Sequence, residues 1–75
     1  MTEYEKELLN QLVFKFKELQ QIKSKEELGK AINNIIIASI FKHRSDEFIG
    51  KLFIIKRDIY LNEKLNKKEI ENYDN

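Results

Sequence analysis

The stretch Ile35-Ile36-Ile37-Ala38-Ser39-Ile40-Phe41 decides the fold, because in a helix its apolar side chains surround the axis. Such a helix must be covered on every side, so the stretch predicts a central helix, a self-associating surface, or both. A strand is the alternative, since this stretch and Leu52-Phe53-Ile54-Ile55 have high β propensity. Helical spacing in the flanking residues and the lack of a Gly or Asn turn pair favour the helix.

Three capping signals mark where helices begin. Thr2 with Glu5, and Ser24 with Glu27, fit the S/T-x-x-E capping box, in which a hydroxyl and a carboxylate accept hydrogen bonds from backbone N–H groups that the helix leaves unpaired. Ser45 is followed by two acidic residues and is a third N-cap. The chain therefore contains three helices in succession.

The spacing of these caps predicts an all-α fold, a three-helix antiparallel bundle. We expect helices near 3–22, 25–43 and 46–65, joined by turns short enough to make successive helices antiparallel neighbours. Residues 1–65 form a single helical domain. The polar segment 66–75 is expected to be a C-terminal extension or a frayed helix end.

A short internal similarity links the second and third helix starts. The segment 24–32, SKEELGKAI, resembles the segment 45–53, SDEFIGKLF, so that Gly29 and Gly50 lie at the same distance from their caps. A duplication explains this similarity, and so does convergence of two helix starts on the same residue types. Each glycine marks either a close approach of another backbone or a tolerated cost of about 1 kcal/mol relative to alanine.

Helical spacing leaves more apolar side chains than three packed faces can cover. The residues expected to remain for a protein or dimer interface are Phe14, Ile37, Phe41, Ile54, Leu61 and Leu65. A core of this size seldom yields more than about 3 to 5 kcal/mol, and oligomerisation is the usual supplement where disulfides and metals are lacking. We therefore expect a homodimer with helices 2 and 3 at the interface. A monomer that covers these side chains by tilting its helices is the alternative.

Composition excludes several classes of function. The 75 residues include no cysteine and one histidine, His43, so the chain can build neither a disulfide framework nor a structural zinc site. His43 lies in the turn between Lys42 and Arg44, where helix-end capping explains it, and the acidic pairs lie at helix starts or in the polar tail. No catalytic, cofactor-binding or metal site is therefore predicted, and the protein is expected not to be an enzyme. Without a leader peptide or membrane span, we expect a cytoplasmic protein.

Nucleic-acid binding is the weaker of two functional hypotheses. The whole chain has a net charge of +1, and residues 23–45, with five basic and two acidic side chains, have a local net charge of +3. In a dimer, Lys42, His43, Arg44 and Lys51 could contact phosphates, but a solvated basic face is the favoured explanation of these residues. A helix-turn-helix is disfavoured because helix 3 carries apolar side chains where base-reading groups should lie.

Protein binding is the leading hypothesis. Surplus apolar and aromatic surface on a small charged scaffold indicates a non-enzymatic regulator or inhibitor that occupies a site on a larger partner protein. By analogy of size and class, the expected setting is a phage, plasmid or bacterial protein that acts on replication or transcription machinery. The alternative is a small dimeric nucleic-acid-associated protein that uses the basic turn around Lys42–Arg44.

Overall fold

Three α-helices build the fold in the order in which the caps occur. The computed structural model describes residues 1–61, with α1 at Glu3–Leu19, α2 at Lys25–Phe41 and α3 at Asp46–Tyr60. Residues 1–61 contain no strand, so the predicted all-α class is confirmed and the strand alternative is wrong. None of the three helices is both long and apolar enough to cross a membrane.

All three helices begin where the caps predict. The Thr2 hydroxyl accepts a hydrogen bond from the Glu5 N–H at 3.1 Å, and the Thr2 N–H donates to the Glu5 carboxylate at 3.2 Å, which completes the capping box. At Ser24 only the N-cap half forms, since the Glu27 carboxylate instead accepts from the Ser24 hydroxyl at 3.4 Å. The Ser45 hydroxyl caps α3.

The helices end earlier than predicted. α1 stops at Leu19 rather than near residue 22, and the N–H groups of Ile22 and Lys23 both donate to the Leu19 carbonyl, at 3.0 and 2.8 Å. α3 ends at Tyr60, with Leu61 as its C-cap, and the predicted continuation over 62–65 and the extension 66–75 lie outside the described residues.

The turn between α2 and α3 is closed by a Schellman motif. The His43 N–H donates to the Ile40 carbonyl at 3.1 Å, and the Arg44 N–H donates to the Ser39 carbonyl at 3.0 Å. His43 has a φ of 56°, in the left-handed region that this motif requires and that glycine usually occupies. α2 therefore ends at Phe41 and not at residue 43.

The central helix is α3, and not the apolar α2 as its sequence suggests. α3 packs against both α2 and α1. The buried apolar core is Leu9, Val13, Phe16, Leu28, Ile32, Ile36, Phe48, Leu52, Ile54, Ile55 and Ile59. A helix that contacts two others buries a wide arc of its own side chains. Residues of α3 that lie beside its main apolar stripe are therefore buried as well.

Ile54 is one of these residues. The expectation that a single copy leaves Ile54 uncovered is wrong, since its side chain is only 7% exposed and belongs to the core. Ile54 lies on the wide buried arc of α3, close to the buried polar residues Lys51 and Asp58. It is therefore not available for a partner.

Candidate protein-interaction surface

The outer side of α2 carries large apolar side chains near its C-terminal end. Ile37, Ile40 and Phe41 are 52%, 52% and 79% exposed. Their spacing of three and four residues places them together on one side of the helix, whereas Ile32 and Ile36 face the core. The apolar stretch is thus split between the core and the solvent.

α3 extends this surface at Phe53, which is 49% exposed. Asn33 of α2 and Lys56 of α3 line the same groove between the two antiparallel helices. Ile37 lies one helical turn after Asn33 on α2, and Phe53 lies one helical turn before Lys56 on α3. Both steps lead toward the loop that connects α2 and α3, so Ile37 and Phe53 lie on the same side of the helix pair. We call Ile37, Ile40, Phe41 and Phe53 the apolar surface.

The remaining predicted interface residues do not join this surface. Phe14 is 67% exposed on the outer side of α1, where it lies among polar residues that include Glu7, Gln11 and Glu18. Leu61 is exposed at the end of α3. Leu65 lies outside the described residues. Of the five predicted residues that lie within 1–61, the structure therefore brings together only Ile37 and Phe41.

Sequence reasoning missed two members of the apolar surface. Ile40 lies three residues after Ile37, so helical spacing alone could have placed it on the same side. The exposure of Phe53 depends on where α2 and α1 contact α3, which spacing along the chain does not give. Only the packing of the three helices reveals it.

The basic turn presents fewer free cations than the sequence suggests. Lys42 and His43 are exposed, but the Arg44 guanidinium lies 4.9 Å from the centre of the Tyr4 ring, within the range of a cation–π contact. Lys51 is buried on the wide arc of α3, so it is not presented to a phosphate as proposed from the sequence. Two of the four residues are therefore held by the fold.

A buried carboxylate fixes the shape of this turn. Glu5 is almost fully buried, and its two oxygens accept hydrogen bonds from the Ser45 hydroxyl at 2.9 Å and the Ser45 N–H at 3.0 Å. Ser45 is also the N-cap of α3, so one side chain of α1 orients the start of another helix. The capping pattern predicted the contact of Glu5 with Thr2 but not the long-range contact with Ser45.

The environment of Glu5 favours its charged form. Burial raises the pKa of this carboxyl, but the hydrogen bonds from Ser45 and Thr2 and the nearby positive charge of Arg44 together bring the pKa below its usual value. No buried side-chain polar atom among the described residues lacks a hydrogen-bond partner. The charge is therefore structural and stabilises the α1–α3 contact.

Comparisons with known families, proteins and structures assign this chain to no family. No family model matches it, and neither the curated proteins nor the solved structures contain a significant match. Within residues 1–61, no group of three or more His, Cys, Asp or Glu side chains is placed to hold a metal ion. The exposed apolar surface is the feature on which a functional proposal can be built.

Proposed function

We propose that this chain is a small, non-enzymatic protein-binding regulator that works as a homodimer. The observation that carries the proposal is the apolar surface, on which four large side chains are about half exposed or more. Contiguous exposed apolar patches mark protein interaction sites on small soluble domains. Aromatic side chains, which this surface has in Phe41 and Phe53, are enriched at such sites.

A second copy is the proposed occupant of the apolar surface. A two-fold axis that passes the outer side of α2 midway between Ile37 and Phe41 would place Ile37 of each copy beside Phe41 of the other. In this isologous arrangement one surface covers itself, and the assembly closes at two copies. A single chain of this length buries little apolar surface, and the dimer would increase the apolar area that is buried.

The regulatory role follows from size and chemistry. A dimer of this chain offers further exposed aromatic side chains, at Phe14 and Tyr60, through which it can bind a larger protein. Occupying a site on that partner is the mode of action we propose, with replication or transcription machinery as the expected target. The basic-turn alternative has less support, since Arg44 and Lys51 are engaged within the fold.

The proposal is tested by comparing two variants in sedimentation velocity. Ile37→Asp combined with Phe41→Asp introduces charge into the apolar surface, and should convert a dimer of twice the 9.0 kDa chain mass into a monomer. Phe14→Asp makes the same chemical change on the outer side of α1 and should leave the dimer intact. Circular dichroism checks that both variants remain helical.

Two results would overturn the proposal. A native chain that sediments as a monomer at micromolar concentration would remove the dimer. Dissociation caused by Phe14→Asp, together with an unchanged double variant, would move the interface to α1.

A further inference from the structure

We infer that a groove between the N-terminal half of α2 and the C-terminal end of α3 binds an acidic segment of a larger partner protein. The inference rests on the proposed function, because it names the site on this chain that would contact the larger partner protein. We call this site the lysine groove, and its lining includes Lys25, Gly29, Lys30, Asn33, Lys56 and Tyr60.

The lysine groove carries an excess of positive charge. Three lysines line it, and Glu26 is the one carboxylate among the lining residues that lie within the described part of the chain. None of the three forms an ion pair with a carboxylate of residues 1–61, although other lysines do, such as Lys23 with Glu27 at 3.6 Å. Several lysines around one concave site attract a negatively charged partner.

Two of these lysines are held beside aromatic rings. The Lys25 ammonium lies 5.8 Å from the centre of the Tyr60 ring, and the Lys56 ammonium lies 5.8 Å from the centre of the Phe53 ring. The first contact keeps the Lys25 ammonium beside a ring that lines the groove, the second keeps the Lys56 ammonium at its border with the apolar surface, and neither neutralises the charge. A carboxylate that enters the groove would therefore meet cations that are already positioned.

Gly29 keeps the groove open on the α2 side. A Cβ atom added at this position would meet no heavy atom within 4 Å. The glycine is thus not required for close packing of this chain with itself, and the space beside it is free for another chain. Glycine is often found where a ligand or another backbone approaches a helix closely.

The partner segment is defined by charge and by position. The groove joins the apolar surface through Lys56, which lies beside Phe53, so the segment can place apolar side chains near the edge of the dimer interface and carboxylates between the lysines. A second copy does not fit the groove, because it would bring another cluster of the same three lysines against it. An acidic segment with interspersed apolar residues meets both requirements.

The test is a binding titration of the full chain by fluorescence anisotropy. The probe is a short fluorescein-labelled peptide with pairs of glutamates between leucine and phenylalanine residues, and the matched peptide has glutamine in place of each glutamate. We expect the glutamate peptide to bind more tightly, and its affinity to fall as ionic strength rises.

Protein variants locate the site. Lys30→Glu with Lys56→Glu should weaken binding of the glutamate peptide at least about tenfold, whereas Lys15→Glu with Lys17→Glu, the same charge change on α1, should alter it within about twofold. Gly29→Leu should also weaken binding, because it fills the groove without changing charge. Equal losses in both charge variants, or no loss with Gly29→Leu, would overturn the inference.

Two further outcomes separate this inference from the proposed function. Peptide binding by a monomeric chain would support the groove and contradict the dimer, whereas a dimer that fails to bind the peptide would contradict the groove alone. A DNA duplex that binds more tightly than the peptide, and loses affinity in the same groove variants, would overturn the assignment to an acidic protein segment.

Discussion

Glu5 connects the start of α1 with the start of α3. Its carboxylate accepts three hydrogen bonds, from the Thr2 N–H and from the Ser45 N–H and hydroxyl, in a nearly fully buried position. Loss of these acceptors leaves three donors at the two N-cap residues without their partner, so the cost should exceed that of an ordinary surface change.

We expect Glu5→Gln to lower the free energy of unfolding by about 1 to 3 kcal/mol. The amide keeps the shape of the side chain but cannot accept from both Ser45 groups and Thr2 with its two polar atoms. Urea unfolding followed by circular dichroism measures the loss. The control is Glu7→Gln on the exposed side of α1, which should change stability by less than about 0.5 kcal/mol.

The lowered pKa of Glu5 adds a pH dependence to this prediction. A carboxyl whose pKa is lower in the folded chain than in the unfolded chain stabilises the fold above its unfolded pKa, and this contribution is lost as the pH falls through the folded pKa. The stability difference between the native chain and Glu5→Gln should therefore shrink at acidic pH. A difference that stays constant across the acidic range would contradict this role.

His43 occupies the left-handed conformation at the end of α2. Glycine adopts this conformation without a steric penalty, whereas other residues lose roughly 1 to 2 kcal/mol there. Since glycine also makes the unfolded chain more flexible, we expect His43→Gly to raise the free energy of unfolding by about 0.5 to 1 kcal/mol. His43→Ala should show no such gain. Destabilisation by glycine would mean that the histidine ring makes a contact that outweighs the strain.

Helix starts could be predicted at the scale of the element, and helix ends could not. Thr2, Ser24 and Ser45 satisfy backbone N–H groups within their own first turn, so the signal is local. The end of α1 has no glycine or proline to mark it. The end of α2 uses a histidine where a glycine would have been recognised.

Candidate interface residues were predictable to the extent that one helix determines them. Ile37 and Phe41 are exposed on the outer side of α2 as expected. The apolar side chains of the stretch surround the helix axis, and the other two helices cannot bury all of them. Ile54 was misassigned and Phe53 was missed because both lie on α3, whose contacts with two helices set the width of its buried face. Spacing along the chain does not contain that information.

Gly29 supplies a prediction at the scale of α2. Because no heavy atom lies within 4 Å of an added Cβ, Gly29→Ala should gain helix propensity without a clash and raise the free energy of unfolding by about 0.5 to 1 kcal/mol. Thermal unfolding at fixed protein concentration measures this as a rise of several degrees in Tm. A fall in Tm would show that the glycine is needed for close packing.

At the scale of the whole molecule, α3 is covered by α1 and α2, and among residues 1–61 only α3 and the core side cover α2. Ile37, Ile40 and Phe41 therefore remain outside the core. Burial of these side chains against a second copy would remove the remaining apolar side chains of residues 35–41 from water. The stretch would then be buried on every side, as a helix that is apolar all round requires. The proposed dimer thus completes the surroundings of α2.

Isotope-filtered NMR on a mixture of ¹³C-labelled and unlabelled chains tests this account most directly, because it detects only contacts between different copies. The account predicts intermolecular NOEs between the Ile37 methyl groups of one copy and the Phe41 ring of the other. The absence of such NOEs at a concentration where the chain sediments as a dimer would place the interface elsewhere and contradict the account.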